Sequence, residues 1–376
     1  MVISPCPPMW RMANGEAMQK SQIMNENDGQ RNRATTSLSS TSRKSGNTAT
    51  VMILDRYLVS ICVPIFKVEH YIERCVRSLF EQTYGNLQFV FVNDASPDKS
   101  ISILKRVVAE YPSSIVDHIK IISHDTNKGL AAARNTAIEQ ATGLFLVHVD
   151  SDDWIEPDAI TQLVKKQIET GADIVSCNST AHYSDHSELM VEQDYSCPAE
   201  MSHHTAELTM DHVIWRRLIR TSLYKDNNIR SVEGVNIGED HHTLPRLAYY
   251  AKSIAKVDKA LWHYNCQNSS SYIRGSQDNF SSYKYWSDLR SIEILSDFFK
   301  GKDEELYIEL QGRIKLDYLR RSLSYAGSCK DRSAYNDILS DLYTSNGNLA
   351  ERIWRAYSLY RMRHCVRKCA RLLKCW

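Results

Sequence analysis

An apolar run, Leu144-Phe145-Leu146-Val147-His148-Val149, passes without a break into Asp150-Ser151-Asp152-Asp153-Trp154. A buried strand ends at the edge of its sheet, so acids placed there face a crevice and can hold a hard divalent cation through oxygen. Such carboxylates suit metal-bound phosphate chemistry. The same tetrad also suits a solvated turn, because Asp and Ser are favoured helix caps and a helical pattern starts near Glu156-Pro157. A second acid stands in Val92-Asn93-Asp94-Ala95-Ser96-Pro97-Asp98. A fixed Asp94 carboxylate at a strand end can accept a base N–H; capping by Ser96 and Asp98 is the plainer account of the same turn. A third stretch, Asn127-Lys128-Gly129-Leu130-Ala131-Ala132-Ala133-Arg134-Asn135, joins a turn glycine and small residues to an arginine fork.

The elements that must position these groups follow from periodicity. Apolar runs of strand length (58–63, 88–92, 119–122, 144–149, 173–177) alternate with helix-period segments near 69–82, 99–111, 129–140 and 158–170. Repeated βα units predict an α/β fold: a Rossmann-like, mostly parallel central sheet flanked by helices, with its ligand site beyond the carboxyl ends of the strands. That rule gathers Pro64–Phe66, Asn93–Ser96, His124–Gly129 and Asp150–Asp153 along one edge. Past Asn178 the alternation is lost, and helical patterns return from about Ser282 to Leu342. The expected organisation is a disordered leader over 1–56, a nucleotide-binding half over 57–180, a half that holds the second substrate over 181–280, a mainly helical extension over 281–349, and a basic amphipathic helix over 350–376. The leader is rich in Ser, Thr, Asn and Arg and cannot bury enough surface to offset its ordering entropy; translation from Met52 would omit most of it.

With 376 residues and 43% hydrophobic composition, the chain can bury one large core or two modest ones. Forty-six basic residues against forty-five acidic ones leave a net charge of +1, so no global field points to nucleic acid as a partner. The ten cysteines show neither a CxxC pair nor zinc-site spacing, which fits reduced thiols. A basic n-region followed by an apolar h-region is missing, and no apolar stretch approaches the ~18 residues of a membrane span. The absence of GxGxxG and GxxxxGK[ST] argues against dinucleotide oxidoreductases and P-loop NTPases.

Taken in order, VSICVPIFKVEHYIERCVRSLFEQTY, VNDASPD, NKGLAAARN and DSDD over about residues 57–180 resemble the first strand and helix, the uracil-reading turn, the NxGxxxARN element and the DxD motif of family 2 glycosyltransferases. These are inverting, nucleotide-sugar-dependent enzymes of the GT-A fold. The resemblance implies that Pro64 borders the base and that Asp94 bonds the uracil ring, with Asn127 and Arg134 completing that wall. It further implies that Asp150 binds the ribose, that Asp152 holds Mn²⁺ or Mg²⁺, and that Asp153 stands near the donor sugar or the metal. Val235-Asn236-Ile237-Gly238-Glu239-Asp240 is similar to the family's ED element, which makes Asp240 the general base and Glu239 its support. Taken alone, the two acids suit a helix N-terminus equally well. Pro245 belongs in a first helical turn, which would place Asp240 in the preceding loop or at the very start of the helix. Leu261–Asn265 and Asn268–Tyr272 are similar to a segment that closes over the diphosphate, although Tyr264 also suits a packed strand.

His203, His204, His241 and His242 lack the spacing of a metal site and are expected at the surface or beside the acceptor. Trp215, Arg216 and Arg217 are expected either along an acceptor groove or on an amphipathic helix. The last segment carries eight basic residues against one acid, interleaved with Trp354, Tyr357, Tyr360 and Leu372, which suits a membrane-surface anchor or a packed helix. The implied protein is a cytoplasmic glycosyltransferase, peripheral on the inner face of the membrane. It would move a sugar from a UDP-linked donor to a glycan or lipid-linked acceptor in cell-surface polysaccharide synthesis. Two rivals stand beside it: a catalytically silent sugar-nucleotide-binding or scaffold protein, and a sugar-nucleotide pyrophosphorylase, whose glycine-rich loop VPIFKVEHYIER lacks.

Overall fold

The apolar runs form strands and the helix-period segments between them form helices, in the order predicted. The computed structural model describes residues 56–206, 212–268 and 282–314. The chain divides into two units, Met1–Leu54 and Asp55–Trp376, and every described residue belongs to the second. The leader up to residue 55, the basic segment 350–376, Ser269–Tyr272 and the helical pattern beyond 314 lie outside the described residues.

In chain order the elements are β1 (Val59–Ile65), α1 (Ile72–Phe80), β2 (Leu87–Asn93), α2 (Ser100–Val108), α3 (Ser113–Val116), β3 (Ile119–Ser123), α4 (Leu130–Gln140), β4 (Phe145–His148), β5 (Trp154–Ile155), α5 (Ala159–Thr170), β6 (Ile174–His182) and β7 (Ser187–Met190). There follow α6 (Pro198–Ala206), β8 (Arg217–Arg220), α7 (Thr221–Lys225), α8 (Glu239–Tyr250), β9 (Ile254–Asn265) and α9 (Ser282–Phe299), then α10 over 304–314.

One nine-stranded sheet runs β3-β2-β1-β4-β8-β6-β9-β5, with β7 beside β6. β3, β2, β1 and β4 are parallel neighbours. β8 is antiparallel to both β4 and β6, and β9 is parallel to β6. Six strands therefore point one way, while β5, β7 and β8 oppose them. Two of the three opposing strands, β7 and β8, lie past Asn178, where the βα alternation fades from the sequence.

The β1 sequence VSICVPI is buried along its whole length, as expected of a strand covered on both faces. Its side chains alternate between two cores. Val59, Ile61, Val63 and Ile65 join α1, α2 and α5 on one face. Cys62 joins α4, α7 and α8 on the other. Pro64 is tolerated in this central strand for a specific reason. The carbonyl of Cys62 accepts from Val149 N (3.0 Å) on the β4 side, and Pro64, two residues on, faces the same side after β4 has ended at His148. No ladder donor is missing there.

Candidate active site

The parallel strands end on one edge, and the loops beyond them lock together through side chain to backbone bonds. Asp94, 2% exposed, accepts from the N–H groups of Lys128 and Gly129, both at 2.8 Å. The Nδ1 atom of His124 lies 2.7 Å from the same carboxylate. Asn127 is exposed and donates to the Asp94 carbonyl at 3.3 Å. Asp94 thus ties the exit of β2 to the turn before α4, and both of its oxygens already have protein partners. His124 carried no signal in the sequence beyond its place after an apolar run.

Gly129 adopts φ +90, and a Cβ there would fall 2.3–2.6 Å from the side chain of Asn236. Asn236 Oδ1 accepts from Ala131 N at 3.1 Å. The small residues that open α4 therefore admit the loop leading into α8. That contact brings residues more than a hundred positions apart into one site, and nothing local in either stretch announces it.

Arg134 occupies the centre. It is 1% exposed, with Nη2 2.9 Å from Asp150 Oδ1, Nε 3.3 Å from Glu239 Oε1 and Nε 3.9 Å from Asp240 Oδ1. The sequence reading sets Arg134 in the wall around the base; in the structure its Nη2 and Nε face acids from two distant segments. Burial opposes its charge, but Asp150, Asp240 and Glu239 outweigh that and hold the guanidinium firmly protonated. Asp240 Oδ2 accepts from Ile214 N at 3.3 Å. Its Oδ1 is buried and has no hydrogen-bond partner among the described residues.

Glu239 and Asp240 open α8 after Gly238, which takes the left-handed conformation at the cap. Both carboxyls are raised by burial, Glu239 the more strongly because Asp240 adds to the effect. Pro245 is not in the first turn, as the sequence suggested, but inside the helix. Burial of α8 on all sides, from Glu239 to Ala248, outweighs the hydrogen bond that proline forfeits.

Past β4, Asp150 is half-buried, and its backbone carbonyl accepts from Asp153 N at 3.0 Å, closing the turn. Asp152 accepts from Asn268 Nδ2 at 2.8 Å. Asp153, 1% exposed, accepts from Asn265 N at 2.8 Å, and its Oδ2 is a buried oxygen with no partner among the described residues. Burial, helped by Asp150, pushes the Asp152 carboxyl up to about 6, and burial with the neighbouring acids raises Asp153 further. Crowded oxygens of one sign, one of them orphaned, fit a hard cation. Among the described residues no group of three or more His, Cys, Asp or Glu side chains is placed to hold a metal ion. Asn265 and Asn268 support these acids from the end of β9, a role the sequence pattern left unspecified.

Other expectations are corrected. His241 and His242 are fully buried, not at the surface. His241 Nε2 lies 3.0 Å from the Ala206 carbonyl, and His242 Nε2 accepts from Val232 N at 2.9 Å; both rings stay neutral because burial penalises the charge. Trp215, Arg216 and Arg217 lie in and before a strand, not on a helix, and all three are buried. Both arginines pair with the buried Glu192. Tyr264 is a strand residue whose ring stacks on Trp215 at 5.5 Å.

Comparison with known proteins agrees with this architecture. Residues 60–227 match the glycosyl transferase family 2 profile. The putative glycosyltransferase EpsH of Bacillus subtilis is 33% identical over 235 residues, covering 60% of this chain and 65% of that protein. Glycosyltransferase GlyA of Streptococcus pneumoniae is 32% identical over 227 residues, covering 56% of this chain and 31% of its own length. The matched region thus spans less than two thirds of either relative. Among solved structures, S. aureus TarS 1-349, in complex with UDP-GlcNAc, superposes with a TM-score of 0.50 at 20% identity, covering 75% of this chain and 90% of that one, a likeness of fold. A GT-A sheet with its acids at the strand ends, together with this profile, identifies residues 60–227 as a glycosyl transferase family 2 domain.

Proposed function

We propose that this protein transfers a sugar from a nucleotide-diphosphate donor, UDP-linked, to a hydroxyl of a glycan or lipid-linked acceptor, with inversion at the anomeric carbon, in cell-surface polysaccharide synthesis. The observation that carries this reading is the convergence of Asp150 and Asp240 on one buried guanidinium, which puts a donor-side acid and a candidate base in a single site. Asp240 takes the proton of the acceptor hydroxyl as its oxygen forms the new bond to the anomeric carbon. The bond from that carbon to the diphosphate oxygen breaks, and its electron pair leaves with the nucleotide. Asp150 orients the ribose and Asp153 stands near the donor sugar. Pro64, Asp94 and Asn127 border the base, Asp94 by holding the turn that forms that side of the crevice. Mn²⁺ or Mg²⁺, held by Asp152 with Asp153 beside it, would neutralise charge on the departing diphosphate. The UDP-GlcNAc bound by TarS supports a uridine donor by analogy of fold.

Calorimetric titration of UDP and GDP, with and without Mn²⁺, into wild type and Asp152→Ala tests the donor site. UDP binding that depends on the metal and is lost in the variant supports the reading. Absence of nucleotide binding in any condition would remove it and leave the scaffold role in its place. Among the described residues no helix is long and apolar enough to cross a membrane. Membrane attachment through 350–376 is proposed from the sequence alone, and unchanged liposome binding after deletion from Ala350 would refute it.

A further inference from the structure

From the geometry around α4 we infer that Arg134 is a positioning residue for the catalytic base, and not a donor-binding residue alone. The inference rests on the assignment of Asp240 as base. Arg134 leaves α4 on the buried side and reaches the end of β4 through Asp150 (2.9 Å) and the start of α8 through Glu239 (3.3 Å), with Asp240 Oδ1 3.9 Å away. Those three acids come from two segments, the turn after β4 and the start of α8, that share neither a helix nor a strand pairing. The guanidinium is the charged group that spans them, and its planar fork can hold two directions at once where an ammonium holds one point.

Two orphaned atoms add to this. Arg134 Nη1 and Asp240 Oδ1 are both buried without a hydrogen-bond partner among the described residues. The cation and the proposed base, with Arg134 Nε and Asp240 Oδ1 3.9 Å apart, thus each keep one buried polar atom unpaired within the protein, as groups would that share a polar ligand. Among the described residues, the groups facing Asp240 are Arg134 from α4, Asp150 from the end of β4, His212 and the Ile214 amide from the segment before β8, Tyr224 from α7, and Glu239 from its own helix. Arg134 is the nearest fixed positive charge among them; His212, the other group that favours the anion, is charged only when protonated. Removing Arg134 leaves Asp240 among other acids, so the carboxylate becomes harder to ionise and loses its fixed direction.

The test uses the full chain with Arg134→Gln and Arg134→Lys. Three quantities are read: UDP affinity by calorimetry, the separate values of kcat and KM for the donor, and the pH profile of kcat. For Arg134→Gln, UDP affinity is expected to stay within about threefold while kcat falls by about thirtyfold or more, and the acidic limb of the profile moves to higher pH. Arg134→Lys keeps the charge without the fork, so its acidic limb stays near wild type while kcat is intermediate; it carries the test if the glutamine variant does not fold. A loss of UDP affinity that accounts for the whole activity loss, with the limb unmoved in both variants, would overturn the inference and return Arg134 to donor binding. Failure of the function itself would show differently, as wild-type protein that neither binds UDP nor transfers a sugar.

Discussion

Gly129→Ala probes whether the contact between α4 and the loop before α8 builds the site. The glycine combines φ +90 with ψ 167, a region open in practice to glycine alone. Holding alanine there costs about 1–3 kcal/mol in backbone strain. Its Cβ would also sit 2.3–2.6 Å from Asn236, far inside contact distance. Asn236 would have to withdraw and lose its bond from Ala131 N, at a further cost of about 1 kcal/mol. The expected destabilisation is therefore about 2–4 kcal/mol, measured by urea unfolding. Since Asn236 stands four residues before Asp240, a shift of about 1 Å in the base would lower kcat by about a hundredfold in folded protein. Gly129→Ala combined with Asn236→Ala removes the clash, so the double variant should be less destabilised than the sum of the two single changes. Strict additivity together with unchanged kcat in Gly129→Ala would refute the argument that this close approach positions Asp240.

Asp240→Asn should lower kcat by about 100- to 10,000-fold with UDP affinity retained; a parallel loss of UDP binding would argue that Asp240 serves the donor. Glu239 is raised above its ordinary 4.5 by burial and by Asp240. The folded state thus binds its proton more tightly than the unfolded chain, so its contribution is full below pH 4.5 and lost as pH rises through the folded value. Urea unfolding between pH 4.5 and 8 should show a flatter decline in Glu239→Gln than in wild type, and equal slopes would refute a raised Glu239 carboxyl. Glu192→Ala strands Arg216 and Arg217 without their shared carboxylate and should cost about 3–5 kcal/mol, read by denaturation. A loss under 1 kcal/mol would show that water reaches these arginines.

The alternation of strands and helices through residue 180 was legible in the residues alone, because each element there carries its own period: largely apolar strands such as VSICVPI and helix-period segments between them. The sequence also determined which acids stand beyond the strands, since Asp94 and Asp150–Asp153 follow apolar runs directly. Only the tertiary structure decided that Arg134 turns toward Asp150 and Glu239, because a helical periodicity says which face is buried but not which distant charge meets it. The same holds for His241 and His242, whose polar side chains suggest exposure until α8 is seen enclosed on every side. Trp215–Arg217 became strand and core through a carboxylate at Glu192, some twenty-five positions earlier. Local sequence encodes backbone period and end chemistry. The pairing of buried charges depends on contacts between segments distant in the chain, and those contacts exist only once the sheet has closed around them.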